Sequence, residues 1–198
     1  MNASLTDEIA ATAARLVVEE GMEYGPAKRK AARSLGRASV RSGDLPSNEA
    51  LEDEVREYIA LFCADTQPAE LAALRELARR WMQRLADFRP HLTGAVWRGT
   101  ATRLSNIHLQ LFCDDSKEAE IALINLGIDY EAGALPGPRG EEVSVLSVAS
   151  PCPALGETVT LHLSVLDHDD LRGALKPDSR GQVQRGDLAA LERLMEAA

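Results

Sequence analysis

The spacing of the hydrophobic residues changes at Pro90, and this change separates two kinds of structure. Before Pro90 the apolar residues recur three and four positions apart, most clearly in Leu71, Leu74, Ala78, Trp81, Met82, Leu85 and Phe88. This spacing puts them on one face of an α-helix. After Pro90 the residues alternate, with Ile107, Leu109 and Leu111 between Asn106, His108 and Gln110. Alternation is typical of a half-buried β-strand. We therefore expect an α+β fold, with a helical region over residues 1–89 and a mixed-sheet domain over 90–198.

Four helices are predicted in the first region. Their patterns cover residues 7–20, 26–36, 51–62 and 71–88. Thr6 is the expected cap of the first helix, and Ser47 or Asn48 that of the third, because their side-chain oxygens accept backbone N–H bonds. The polar residues 38–46 are typical of a loop.

In the second region the predicted order is strand, strand, helix and three further strands. The expected strands cover residues 91–97, 105–112, 128–132, 142–148 and 158–165. The helix between them begins after Asp114 and Asp115 and ends at Leu126. Loops rich in Gly and Pro are expected at 133–140 and 150–156, and a short helix at 188–195.

The segment from Gly99 to Leu111 joins a small-residue turn to the second strand. It reads Gly99-Thr100, then Arg103, then Ser105-Asn106-Ile107-His108-Leu109. This segment resembles the glycine–serine turn and the Ser-Asp-Ile-Asp-Leu strand of the DNA polymerase β-like nucleotidyltransferases. The resemblance implies a mixed sheet with flanking helices, and a turn in which Gly99, Thr100 and Arg103 would bind nucleotide phosphates. It also implies two magnesium ions, held by two carboxylates on this strand and a third on a later one.

The segment lacks those carboxylates. Asn106 and His108 stand at the first two acid positions, and Thr160 or His162 at the third. Magnesium prefers oxygen ligands, whereas histidine suits softer metals. We therefore expect no metal and a catalytically degenerate nucleotidyltransferase-like protein that binds a nucleotide, an RNA end or a protein partner.

Two alternatives to this interpretation stay open. In an active transferase, displaced ligands such as Asp114, Asp115 or Asp167 would hold magnesium, although these residues also suit helix N-termini. In a non-enzymatic interaction protein, the helical region would bind a partner. Its basic stretch contains Lys28, Arg29, Lys30, Arg33, Arg37 and Arg41. This stretch could also contact nucleotide or nucleic acid, or could pair with the protein's own acids, which we favour.

Three further readings of the same residues are less favoured. His108 and His162 could bind a metal with Asp167 or Asp169, but histidines of this kind are more often hydrogen-bonded in a cleft wall. Asp167 to Asp170 most simply form an acidic turn. The segment from Gly99 to Leu111 could also be an ordinary β-hairpin that matches the family pattern by chance.

Composition further limits the classes of protein to which the chain could belong. The net charge of −9 argues against a surface that binds nucleic acid throughout. Cys63, Cys113 and Cys152 are far apart and without CxxC spacing, which is typical of a reducing compartment. The first residues lack the basic and apolar parts of a secretion signal, and no apolar run is long enough for a membrane span. We expect a cytoplasmic protein without a membrane partner.

Overall fold

Seven α-helices and six β-strands are found in the part of the chain that the computed structural model describes, which is residues 4–36, 42–137, 140–172 and 176–197. The helices are α1 (Leu5–Glu20), α2 (Tyr24–Ser34), α3 (Asn48–Phe62), α4 (Gln67–Arg84), α5 (Gly94–Arg98), α6 (Ser116–Asn125) and α7 (Leu188–Glu196). The strands are β1 (His91–Thr93), β2 (Ile107–Phe112), β3 (Glu131–Pro136), β4 (Glu142–Cys152), β5 (Glu157–Leu166) and β6 (Arg185–Gly186). Short 3₁₀ helices lie at Ser42–Asp44, Ala86–Phe88 and His168–Leu171. The predicted α+β class is confirmed.

The helix starts were predicted to within about two residues, except that α4 begins at Gln67, four residues before the predicted start at Leu71. Ser4, not Thr6, caps α1: its Oγ accepts the Asp7 N–H at 3.2 Å, and the Asp7 carboxylate accepts the Ser4 N–H at 2.9 Å. The predicted cap Ser47 is confirmed, since its Oγ accepts the Ala50 N–H at 3.0 Å. Of the predicted loop at 38–46, residues 38–41 lie outside the described residues.

The strand predictions were wrong at two places. The strand expected over residues 91–97 ends at Thr93, because Gly94 has a positive φ of 75° and the chain then turns into α5. The strand expected at 128–132 begins only at Glu131. Ile128 instead takes part in the turn that closes α6, because its N–H donates to the Leu123 carbonyl at 2.9 Å.

The predicted loops were too long, and one strand was missed. β3 continues to Pro136, and β4 and β5 continue to either side of the turn at residues 153–156. β6 has only two residues, which is too short to show a hydrophobic pattern.

The chain divides into two compact units. The first unit contains residues 1–70 and 100–105, and the second contains 71–99 and 106–198. The expected domain boundary between residues 89 and 90 stays a prediction. No helix in the described ranges is long and apolar enough to cross a membrane.

In the first unit, the helices α1, α2 and α3 enclose a small apolar core. Its members include Ile9, Ala13, Ala27, Ala31, Leu51 and Val55. The loop at 100–105 is fixed to this unit by two hydrogen bonds. The Gln67 side chain donates to the Ala101 carbonyl at 2.8 Å, and the Arg103 N–H donates to Oε2 of Glu70 at 2.9 Å.

The second unit is built on a six-stranded sheet in the order β3-β4-β5-β2-β1-β6. β2 and β5 are parallel, whereas every other neighbouring pair is antiparallel. One face of the sheet is apolar and includes Leu109, Leu146 and Leu163, all fully buried. On this side Trp81 of α4 donates from its indole N–H to Oγ of Ser150 at 3.0 Å. The other face is therefore the side on which polar residues can meet a ligand.

Buried Arg75 of α4 fixes α5 within the second unit. Its Nε donates to the Val96 carbonyl at 3.1 Å, and its Nη2 donates to the Trp97 carbonyl at 3.2 Å. The side chain satisfies two carbonyls at the end of a short helix, where intrahelical partners are lacking. Its burial lowers the pKa of Arg75 below the ordinary arginine value.

Gly21 gives a stability prediction for the loop at 100–105. A Cβ at Gly21 would lie 2.6 Å from the Leu104 carbonyl oxygen, a backbone atom that cannot move freely. Gly36 in the same unit has a similar φ of 77°, but nothing lies within 4 Å of its Cβ position. We expect Gly36→Ala to lower the free energy of unfolding by about 1 kcal/mol, because of the left-handed backbone alone. Gly21→Ala should lower it by about 2 kcal/mol or more.

Urea unfolding followed by circular dichroism measures both changes. Equal losses in the two variants would contradict the close approach between Gly21 and the Leu104 backbone.

Candidate functional site

A patch of polar side chains lies at the centre of the sheet, on the two parallel strands. His108 of β2 is the register partner of His162 of β5, and Gln110 is the partner of Ser164. Residues opposite each other on neighbouring strands point to the same side of a sheet, and so do residues two apart. All four side chains are half-buried. We call these four residues the polar face.

The two histidines of the polar face lie close together. Their ring centroids are 5.2 Å apart, with 31° between the ring planes. Oγ of Ser147, on the neighbouring β4, lies 2.9 Å from Nδ1 of His162 in a hydrogen bond. Gly94 leaves room beside His108, since a Cβ there would be 3.3 Å from Cδ2 of the ring. The alternation along their strands allowed these two histidines to face one pocket, and the register places them side by side.

Arg185 of β6 extends the polar face in a direction that the sequence did not indicate. Its Nη1 donates to Oε1 of Gln110 at 2.5 Å. Burial lowers the pKa of Arg185, and the nearby Asp170 carboxylate acts in the opposite direction. A partly desolvated guanidinium of this kind is ready to bind an anion. Arg185 lies 75 positions from Gln110 on a two-residue strand, so no local pattern could have identified it.

A cleft of about 290 Å³ opens beside Arg185. Its polar lining includes Gln110, Glu141, Ser164, Asp170 and Arg185, and its apolar lining includes Leu135, Val143 and Leu166. The cleft lies wholly within the second unit. It therefore offers one cation, two carboxylates and an apolar wall to a small ligand.

Asn106, the first degenerate acid position, is half-buried and lies just before β2. Thr160, the other third-position candidate, is opposite Ala149 of β4. Neither pair of opposed residues on the polar face contains a carboxylate. Within the described residues no group of three or more His, Cys, Asp or Glu side chains could hold a metal ion.

The carboxylates considered as displaced metal ligands have structural partners. Asp115 caps α6 and accepts the Lys117 N–H at 2.9 Å. Asp167 caps the 3₁₀ helix that follows β5 and accepts the Asp169 N–H at 2.8 Å. Asp114 is exposed. The capping roles predicted for these acidic segments are confirmed for Asp115 and Asp167.

The turn predicted to bind phosphate is divided between the two units. Gly99 ends α5, with its N–H donating to the Ala95 carbonyl at 2.9 Å. In the first unit, Thr100 is 2% exposed, and its hydroxyl has no hydrogen-bond partner among the described residues. Arg103 is exposed, but its backbone N–H is bound to Glu70. The nucleotide-binding roles of Gly99, Thr100 and Arg103 stay predictions.

The basic stretch of α2 has partners within its own unit. Nζ of Lys28 donates to the Pro46 carbonyl at 3.0 Å and to Oδ1 of Asn48 at 2.8 Å. Nζ of Lys30 lies 2.5 Å from Oε2 of Glu20. Lys28 therefore supports the start of α3. Arg37 and Arg41 of the predicted stretch lie outside the described residues.

Comparison with known proteins gives a weak structural similarity. No protein-family model and no curated protein matches the chain. A crystal structure of the Cid1 poly(U) polymerase with MgGTP bound is similar, with 15% identity and a TM-score of 0.35. The match covers 54% of this chain and 34% of the polymerase, so the chain spans about a third of that protein's length.

The hydrogen bond between Ser147 and His162 gives a spectroscopic prediction. Ser147→Ala removes the partner of Nδ1, so we expect a change in the ratio of the two neutral tautomers of His162. Long-range ¹H–¹⁵N NMR spectra of the imidazole nitrogens measure this ratio. Ser144→Ala, on β4 but on the opposite face, is the control and should leave the His162 signals in place. An unchanged Nδ1 shift in Ser147→Ala would contradict the bond.

Proposed function

We propose that this chain is a nucleotidyltransferase-like protein that binds a mononucleotide on the polar face and does not perform two-metal nucleotidyl transfer. The observation that carries the proposal is the register of β2 and β5. It puts His108 against His162 and Gln110 against Ser164, with Arg185 hydrogen-bonded to Gln110. These residues are hydrogen-bonding groups and a cation, which suit a ligand that carries its own negative charge.

The chemistry of each group supports a nucleotide as the ligand. The Arg185 guanidinium has a planar array of N–H donors that matches phosphate geometry. The imidazoles and the Gln110 amide can donate to and accept from a base or ribose. Leu135, Val143 and Leu166 offer an apolar wall to a base. The cleft of about 290 Å³ is near the lower end of the range for small-molecule pockets, which favours one nucleotide over a longer RNA end.

The same residues argue against magnesium-dependent catalysis on this face. Two-metal transfer needs carboxylates that bridge and neutralise both ions. The corresponding places hold Asn106, His108 and Thr160 or His162, none of which carries a negative charge, so they cannot offset the charge of two Mg²⁺ ions. We infer that nucleotide binding here does not require magnesium.

Isothermal titration calorimetry with ATP, GTP, CTP and UTP tests the proposal. We expect at least one nucleotide to bind with the same affinity in excess Mg²⁺ and in EDTA. Arg185→Ala should weaken binding at least tenfold, because a charge-assisted contact to phosphate is lost. Arg193→Ala, which removes an arginine from α7 of the same unit, is the matched control and should leave the affinity unchanged.

Two further variants distinguish nucleotide binding on the polar face from nucleotide binding at the turn of Gly99, Thr100 and Arg103. His162→Ala should weaken nucleotide binding if the ligand lies on the polar face. Arg103→Ala should weaken it only if the predicted phosphate contacts at Gly99, Thr100 and Arg103 are made.

Three results would contradict the proposal. Absence of binding by every nucleotide to a folded sample would remove it, and so would equal losses in Arg185→Ala and Arg193→Ala. Incorporation of labelled nucleotide, abolished by Asp114→Ala with Asp115→Ala, would establish an active transferase with displaced metal ligands instead.

A further inference from the structure

A second cleft, of about 370 Å³, lies in the first unit and shares no residue with the polar face. Its walls come from the end of α1, the end of α3, the start of α4 and the loop at 100–105. The lining residues used below are Glu19, Tyr58, Phe62, Glu70, Thr102 and Arg103. We call this the acidic cleft.

The acidic cleft has a carboxylate on each of two walls. Glu19 of α1 accepts a hydrogen bond of 2.5 Å from the Tyr58 hydroxyl, and Glu70 of α4 accepts the Arg103 N–H at 2.9 Å. Glu19 also forms an exposed ion pair with Arg15, whose Nε lies 4.0 Å from Oε2 of Glu19. A carboxylate has about four acceptor positions, so these contacts leave capacity for a ligand. The Cys63 thiol also lines the cleft. Burial raises its pKa, and the negative charges of Glu70 and Glu19 raise it further.

Aromatic and aliphatic side chains form the other part of the acidic cleft. The rings of Tyr58 and Phe62 are 4.6 Å apart, centroid to centroid, with 42° between their planes. Phe62 is 69% exposed and Leu104 is 46% exposed. Large apolar side chains exposed together beside a cleft are unusual on a surface that contacts only water. An aromatic face beside carboxylates attracts organic cations through the ring quadrupole.

Thr102 adds an unfilled hydrogen-bonding group to this cleft. The residue is 5% exposed, and its hydroxyl has no hydrogen-bond partner among the described residues. The Thr102 Oγ1 atom is closed off from solvent in this conformation, so an N–H group of a ligand in the acidic cleft would reach it only after the side chain rotates.

We propose that the acidic cleft binds a small aliphatic amine, with its primary ammonium group between Glu19 and Glu70 and its hydrocarbon chain against Tyr58, Phe62 and Leu104. The ammonium has three N–H donors and no acceptor, which fits a site of two carboxylates and a threonine hydroxyl. Arg103 is the cationic residue of the lining and opposes the ligand's charge. The chain's net charge of −9 attracts any cation weakly, so specific binding must be separated from this background.

Isothermal titration calorimetry with putrescine and spermidine on the full chain tests the proposal. We expect saturable one-to-one binding at about 0.15 M salt, and changes in backbone amide NMR signals that centre on Thr102 and Arg103. Glu19→Gln and Glu70→Gln keep a carbonyl acceptor for Tyr58 and for the Arg103 N–H but remove the charge. Each should weaken binding by about two- to fivefold, and the double variant by about tenfold.

Three other variants sharpen the test. Glu8→Gln removes an exposed carboxylate from the other end of α1 and should leave the affinity unchanged. Arg103→Gln should tighten binding, because it removes the opposing charge. Phe62→Leu keeps an apolar side chain but removes the aromatic face, and should weaken binding by about two- to fivefold.

Two comparison ligands define the chemistry of the occupant. Tetramethylammonium has the charge without N–H donors, so it should bind more weakly than putrescine. Nα-acetyl-lysine methylamide has the same head group on a peptide backbone, and should also bind more weakly than the free diamine.

The proposal is overturned if neither amine binds, or if Glu8→Gln weakens binding as much as Glu19→Gln. Tetramethylammonium binding as tightly as putrescine would show that the hydrogen bonds to Glu19, Glu70 and Thr102 are not made. Tighter binding of the lysine derivative would overturn the small amine as occupant. None of these results depends on nucleotide binding by the second unit.

Discussion

The in-register parallel pairing of β2 and β5 is the constraint on which the polar face depends. Strand register has a period of two, so a slip of one residue would move His108 and Gln110 to the apolar side and expose Leu109. The fully buried Leu109 and Leu163, which are partners in this register, make such a slip costly. The hydrophobic side of the sheet therefore fixes which polar side chains meet on the other side. The side chains that meet on the polar face therefore follow from packing on the opposite face of the sheet.

Two side chains from distant parts of the chain add hydrogen bonds to the polar face that the β2–β5 register forms. Arg185 arrives on a two-residue strand and is hydrogen-bonded to Gln110, while Ser147 arrives from β4 and is hydrogen-bonded to His162. Both partners restrict the orientation of groups that could otherwise rotate. Placing a half-buried guanidinium costs desolvation, which the lowered pKa of Arg185 reflects. The nearby Asp170 carboxylate offsets part of that cost.

The fold class and most helices could be predicted because their signals are local. The stripe from Leu71 to Phe88 specifies α4, and Ser47 specifies the start of α3 through its own side chain. Strand ends were harder, because the end of β1 depends on the backbone at Gly94 and the start of β3 depends on how α6 is closed. Periodicity cannot detect either effect.

The candidate site was predictable only in part. The alternation along β2 and β5 put His108 and His162 on the polar side of their strands, but only the sheet order makes those strands neighbours. Arg185 carried no sequence signal, and neither did the acidic cleft, whose lining comes from four separate segments.

The net charge of the chain was equally uninformative about the polar face and about the acidic cleft. A chain with a net charge of −9 contains a partly desolvated arginine in one unit and two carboxylates in a cleft of the other, because the character of a site depends on local desolvation and geometry more than on total charge.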